Sequence, residues 1–294
     1  MEKIDTDEGY SGEGTLYICA TPIGNLKDIT LRSLEYLKKA DFIAVESINH
    51  SRKLLNHYGI RAPLISFRES NREKKSKEIL HKLRQGASVA FITDAGMPTI
   101  SDPGTYLVNM AIVQQVPFTV LPGPSAVLTA LIKSGYSGNK FVFWGFLSRK
   151  AGNLKKEIQS IAAEEKTGVI YEAPHRLLKT LQEMGKALKG REVAVCRELT
   201  KKFEEVRRGT ADDLFLHYTE HSPRGEITIV ISPVDKTGND EPEMLEEECI
   251  SKLMDAIEKG ITPSEAVKQV AESLSLRRNE VYKIYLEFQK ANKK

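Results

Sequence analysis

The amino-acid sequence predicts an α/β protein: two α/β lobes, the first on a largely parallel sheet and the second on a mixed one, followed by a helical tail. Three observations carry this. Short apolar runs of strand type alternate with segments whose apolar residues recur at helical spacing, the pattern of parallel strands joined by crossover helices. The alternation pauses at Ser134–Lys140, a small polar stretch with two glycines, and then resumes. Beyond the polar segment Pro233–Pro242 the pattern is helical throughout.

Met1–Gly14 is acidic and Gly-rich without an apolar centre, which reads as a disordered leader rather than a signal peptide or anchor. Thr15–Ala20 reads as the first strand. Asp28–Lys39 reads as a helix with Ile29, Leu31, Leu34 and Leu37 on one face and Asp28 in position to cap it. Strand Phe42–Val45, helix Ser51–Tyr58 ending at Gly59, strand Leu64–Phe67 and the charged helix Glu69–Gln85 follow. Strand Val89–Ile92, helix Thr105–Gln114, strand Phe118–Leu121 and helix Ser125–Lys133, capped by Ser125, complete the first lobe.

The second lobe opens with the strongly apolar strand Phe141–Phe146, then helix Asn153–Ala163, strand Gly168–Tyr171 and helix Arg176–Lys189. Strands Glu192–Cys196 and Glu204–Gly209 come in succession, so they pair as an antiparallel hairpin and make this sheet mixed. Helix Ala211–Tyr218 and strand Ile227–Ile231 close the lobe. In the tail, Thr262-Pro-Ser-Glu265 has the composition of a capping box with Pro at the first helical position, opening helix Pro263–Ser273. A short turn and helix Arg277–Gln289 complete a pair that reads equally as a helix-turn-helix or a plain helical hairpin. The expected boundaries are a leader at 1–14, lobes at 15–135 and 136–233, a linker at 234–242 and a helical domain at 243–294.

At 294 residues, 40% of them hydrophobic, the chain has enough apolar material for two cores and an appendage. Its formal net charge of +3 does not by itself announce nucleic-acid binding. Cys19, Cys196 and Cys249 are far apart and form no Cys-x-x-Cys. That fits a reducing cytoplasm and argues against a disulfide framework or a zinc site. Cys19 and Cys196 lie in apolar runs and read as buried, inert thiols. No apolar run approaches membrane-spanning length. There is no dinucleotide-binding glycine fingerprint after the first strand, no P-loop and no His-Glu-x-x-His. Nicotinamide enzymes, nucleotide hydrolases and zinc proteases are therefore poor readings.

The functional signal concentrates in loops at strand tips. Phe91–Gly104 runs from an apolar strand into a loop dense in Asp, Gly and Pro. Open α/β sheets bind ligands beyond the carboxyl ends of their strands, where such loops sit. Leu121-Pro-Gly-Pro-Ser-Ala126 and Thr21-Pro-Ile-Gly-Asn25 repeat the pattern. Together they predict a crevice for one polar small molecule, with Asp94 at a strand tip as a ligand.

The same residues resemble a known family. Ala20-Thr-Pro-Ile-Gly-Asn-Leu-Lys-Asp-Ile-Thr-Leu-Arg32, the Thr93–Gly104 loop, Leu121–Ala126, Tyr171-Glu-Ala-Pro-His-Arg176 and Cys196-Arg-Glu-Leu-Thr-Lys201 are similar to the ribosomal small-subunit RNA methyltransferase I group of the tetrapyrrole-methylase superfamily. The tail, with Ser264-Glu-Ala-Val and Arg278-Asn-Glu-Val-Tyr-Lys283, resembles that group's helix-turn-helix extension. The resemblance implies a tetrapyrrole-methylase-like fold, S-adenosyl-L-methionine as methyl donor, the 2′-hydroxyl of a cytidine in 16S rRNA of the 30S subunit as acceptor, and a homodimer. It carries the cofactor cleft onto Pro22, Asp94, Ala95, Gly96, Ile100, Ser125 and Ala126, and, from the second lobe, onto Phe146, Leu147, Tyr171 and Thr228. One stretch departs from the pattern. Where the family usually reads Ala-Glu-Asp-Thr-Arg this chain has Val45-Glu-Ser-Ile-Asn49, and Met97 and Thr99 stand where Thr and Gly are common.

Methyl transfer to a ribose hydroxyl is helped by a general base. Glu46, Asp94, Glu172, His175 and Glu198 lie near strand tips, and Glu46 and His175 are the catalytic candidates, each open also to a structural role. RNA binding needs cations. Arg149 and Lys150, with Lys155 and Lys156, form one basic group; Arg197, Lys201 and Arg207, with Lys202 and Arg208, form another. Arg176 and the helix-opening Arg277 and Arg278 complete the RNA-binding candidates. Two rival functions use the same features: a methylase of this fold acting on a corrinoid-like small molecule, and a non-enzymatic RNA-binding assembly factor.

Overall fold

The computed structural model describes residues 14–234, 241–274, 276 and 278–291. The leader expected at 1–14 therefore falls outside the described residues except for Gly14, as does most of the expected linker. The chain divides into two units, Met1–Val234 and Asp235–Lys294.

The first lobe contains β1 (Leu16–Cys19), α1 (Leu31–Lys39), β2 (Phe42–Val45), α2 (Ile48–His57), β3 (Leu64–Ser66), α3 (Arg72–Arg84), β4 (Val89–Ile92), α4 (Thr105–Val113), β5 (Phe118–Leu121) and α5 (Ala126–Ser134). Its five strands lie in the order β3-β2-β4-β1-β5. Every pairing in this sheet is parallel. All four residues of β4 are buried, because helices cover both faces. The period-2 alternation of a strand divides its side chains between two cores. Val89 and Phe91 face α3 and α4 through Ile79, Leu83 and Leu107. Ala90 and Ile92 face α1 and α2 through Leu37, Leu54 and Leu55.

The second lobe contains β6 (Phe141–Phe146), α6 (Ala151–Ala163), β7 (Thr167–Glu172), α7 (Leu177–Leu188), β8 (Glu192–Arg197), β9 (Glu205–Thr210), α8 (Ala211–Glu220) and β10 (Ile227–Ile231). Its strand order is β6-β7-β10-β8-β9. Only β6 and β7 run parallel; the other three pairings, including the expected β8–β9 hairpin, are antiparallel. One face of this sheet packs on α6, α7 and α8. The other is covered by α5 of the first lobe: Val127, Ala130 and Leu131 pack against Val169, Ala194, Cys196 and Val230. The two lobes thus share a core, and α5 belongs to that core although it precedes the Gly-containing break in the chain.

Local chemistry moved several ends. Asp28 does not cap α1; it closes a short 3-10 turn, Leu26–Asp28, and Thr30 caps the helix by accepting from the Ser33 N–H at 3.1 Å. The second helix starts earlier than expected because Ser47 caps it, accepting from the His50 N–H at 3.4 Å. Ser125 caps α5 as expected. The second unit contains α9 (Glu241–Glu258), α10 (Pro263–Ser273) and α11 (Arg278–Ala291). The α10 capping box is not closed, because the Thr262 side chain makes no capping bond. The expected pair α10–α11 has a third partner: Cys249 and Leu253 of α9 join Val267, Val270, Val281 and Tyr285 in one small core.

Candidate functional site

The loops that leave β1 and β4 at their carboxyl ends are joined by a two-way backbone bridge. The Thr21 N–H donates to Gly96 O at 2.9 Å and the Gly96 N–H donates to Thr21 O at 3.0 Å. The buried Thr21 hydroxyl adds a bond to Thr93 O at 3.2 Å. Gly96 takes φ = 76°, which glycine adopts without strain. Two residues on the same loop take left-handed conformations without that freedom: Thr99 at φ = 74° and Ser101 at φ = 64°. A β-branched residue there is strained. Across from them, the turn after β8 has Glu198 at φ = 52° and Thr200 at φ = 65°. Gly24 of the first lobe sits directly on that turn; a Cβ at Gly24 would lie 2.7 Å from Leu199 O.

Between these loops lies a cavity of about 330 Å³. Ala95, Gly96, Ile100, Ser125 and Ala126 of the first lobe line it, as do Phe146, Tyr171 and Thr228 of the second. Eight of the residues assigned to the cofactor cleft are therefore brought together. Three are not on its wall. Leu147 is turned into the second-lobe core. Pro22 neighbours the wall residue Ile23, and Asp94 accepts from the Ser47 N–H at 3.2 Å. Position 47 needs a group that caps a helix, and serine does this as aspartate does, so the departure from the family pattern there leaves local structure intact.

Three carboxylates line the cavity: Asp102, Glu172 and Glu226. Only Glu172 among them is a strand-tip candidate from the sequence. Glu172 is buried and committed: it accepts from the Ala173 N–H at 2.8 Å and from the Thr180 hydroxyl, and pairs with Arg176 at 3.4 Å. Glu226 pairs with Lys201 at 2.9 Å. Asp102 has no cation partner among the described residues. Burial, and then the negative charge of Glu46, push its pKa up to about 7. Burial, and then the charge of Asp94, also raise Glu46, at the tip of β2. Glu46 does not line the cavity, and His175 is exposed on the turn before α7.

The RNA-binding candidates separate by environment. Arg149 and Lys150 are exposed and make no ion pair with a described residue. Arg176 instead donates to Leu147 O and Ser148 O at 2.9 and 3.0 Å. Arg197 pairs with Glu205 at 2.8 Å, and Lys201 bridges Glu198 and Glu226. Arg207 reaches Glu205 at 3.3 Å and stays largely exposed. Arg278 donates to the Ser264 hydroxyl at 3.1 Å, and Arg277 lies outside the described residues. Cys19 and Cys196 are buried, and burial pushes both thiols up to about 12, as inert core groups require.

The fold and this inter-lobe cavity define a class: residues 15–214 match the family model of tetrapyrrole (corrin/porphyrin) methylases. Solved structures of a cobalt precorrin-4 methyltransferase and of a diphthine synthase share the fold, with TM-scores of 0.59 and 0.58 at 18% and 15% identity. They cover 76% and 74% of this chain, and 98% and 90% of their own. Ribosomal RNA small subunit methyltransferase I of Synechocystis sp. is 42% identical over 94% of this chain and 99% of its own length; that of Bacillus subtilis is 41% identical over 94% and 96%. The Thermotoga maritima protein of the same name is 43% identical over 74% of this chain and 98% of itself. This chain belongs to the tetrapyrrole methylase family and, within it, to the ribosomal RNA small subunit methyltransferase I group. It is a methyltransferase.

Proposed function

We propose that the protein transfers the methyl group of S-adenosyl-L-methionine to the 2′-hydroxyl of a cytidine in 16S rRNA of the 30S subunit. The observation that carries this reading is the cavity walled by turns of both lobes, in a chain about 40% identical over nearly its whole length to small-subunit rRNA methyltransferases. The site suits the donor. Its volume falls within the range of small-molecule sites, about 300–1,000 Å³. Ile23, Ile100 and Phe146 offer apolar contact, and Ser125 and Thr228 offer hydroxyls. Ser125, Ala126, Gly96, Ile100, Tyr171 and Thr228 would hold the cofactor, which supplies a methyl group on a sulfonium.

The protein's share is alignment. Holding donor and acceptor in line supplies roughly 7–11 kcal/mol in favourable cases. Arg149, Lys150 and Arg207, exposed on the second lobe, are the cations for RNA phosphates. A homodimer in the cytoplasm completes the reading. It is supported by β5, an edge strand with Val120 exposed, and by exposed Ile112, Val113, Leu128 and Ile132 on the adjoining helices; light scattering is expected to give twice the chain mass.

The test is incubation of unmodified 30S particles with methyl-labelled cofactor, followed by mapping of the labelled ribose. A single labelled cytidine 2′-oxygen is expected. Label on an added corrinoid precursor but not on RNA would favour the small-molecule rival, and RNA binding without cofactor binding the assembly-factor rival.

A further inference from the structure

We propose that Asp102 is the catalytic residue that takes the proton from the acceptor hydroxyl. This rests on the methyl-transfer reading above. Of the three carboxylates on the cavity wall, Glu172 and Glu226 are each neutralised by a cation, and Asp102 alone among the described residues is not. A carboxylate already shared with Arg or Lys is a poor proton acceptor, because the cation stabilises its charged form.

Asp102 follows the left-handed Ser101 and lies two residues from Gly104, so strained backbone dictates where it stands. Ser101 also faces the second lobe: a Cβ on Gly145, at the register break in β6, would lie 3.2 Å from the Ser101 Oγ. The titratable groups acting on Asp102 come from three strand tips. Glu46 follows β2, Asp94 follows β4, and Tyr171 of β7 approaches from the second lobe. Arg68 and His50 act on Glu46 in turn. Burial and two neighbouring negative charges outweigh the opposing Thr93 hydroxyl and give a group that is partly ionised near neutrality, where a general base works best.

In the step, the acceptor O–H bond breaks and its proton passes to the Asp102 carboxylate. The oxygen forms a bond to the methyl carbon. The carbon–sulfur bond of the sulfonium donor breaks, and its electron pair stays on sulfur as a neutral thioether.

The experiment compares the wild type, Asp102→Asn and Glu46→Gln in single-turnover methylation of 30S rRNA from about pH 5 to about pH 9, with cofactor affinity by calorimetry and carboxyl titration by carbon NMR. Asp102→Asn is expected to lose about 10²–10⁴-fold in rate while cofactor affinity stays within about threefold. One carboxyl resonance should titrate near neutrality in the wild type and vanish in this variant. Glu46→Gln should move both that titration and the rate inflection to lower pH, which carries the test should Asp102→Asn not fold. An Asp102→Asn rate within about fivefold of wild type, a loss confined to cofactor affinity, or an Asp102 carboxyl that titrates in the ordinary acid range would overturn the assignment. If the wild type itself methylates no small-subunit RNA, the functional reading fails first and is recognised as such.

Discussion

The two lobes hold their carboxylates in opposite ways. In the first lobe Glu46, Asp94 and Asp102 crowd together, and burial and mutual repulsion raise Glu46 and Asp102. In the second, acids alternate with cations. Burial would raise Glu198 and Glu205, but Lys201 and Arg197 outweigh it and hold both low. Lys133 of α5 does the same for Glu204. The first-lobe acids cost stability once they ionise, and the second-lobe acids form a frame of ion pairs. A half-buried acid without a neighbouring cation is kept only where the surrounding fold over-determines its position.

Variants that break or sharpen this contrast differ in size. Gly104→Ala should have the largest effect. Its φ of 132° disfavours a side chain, and the new Cβ would lie 2.4 Å from Cε1 of the buried Phe91. Strain plus overpacking should cost about 2–4 kcal/mol by denaturant titration.

Asp102→Asn should be stabilising by about 2 kcal/mol at about pH 8, allowing about 1.4 kcal/mol per pKa unit and a discount for partial exposure. The sign follows from proton binding. The Asp102 pKa rises from 3.8 to about 7 on folding, so the folded chain holds more protons through that window. Stability therefore falls as pH rises across it and stays reduced above it. The variant should lose that part of the pH dependence and match wild type below about pH 4. A variant no more stable than wild type at high pH would erase the claimed cost of the first-lobe acids.

Thr99→Gly should stabilise by about 1 kcal/mol in thermal unfolding, because it removes a β-branched side chain from a left-handed position. Lys201→Met should have the smallest effect, about 1 kcal/mol or less for a partly exposed pair. It would leave Glu198 and Glu226 facing each other, and Glu198 should then titrate higher by carbon NMR.

Much of this architecture is legible in the primary structure because strands and crossover helices are local signals. Val89–Ile92, Phe118–Leu121 and Ile227–Ile231 end where their apolar runs end. Caps were less legible: Thr30 and Asp28 both carry capping groups, and only the backbone turn between them decides which helix each serves. Thr99 takes a positive φ, a conformation that glycine adopts freely and that no propensity of threonine discloses.

The order of residues along the chain was sufficient for the two sheets, the tail of helices and the strand-tip loops, because each follows from periodicity, turn chemistry or runs of residues close in sequence. The residues expected at the cleft came instead from the family resemblance, and eight of them line the cavity. Tertiary packing alone decided that α5 covers the second sheet, that Arg176, Arg197 and Lys201 serve ion pairs, and that Asp102 has no cation partner among the described residues while the charges of Glu46 and Asp94 act on it. Charge state depends on burial and on neighbours brought in from distant strands, and an Asp-Pro-Gly turn looks the same in sequence whether its carboxylate meets water or another acid.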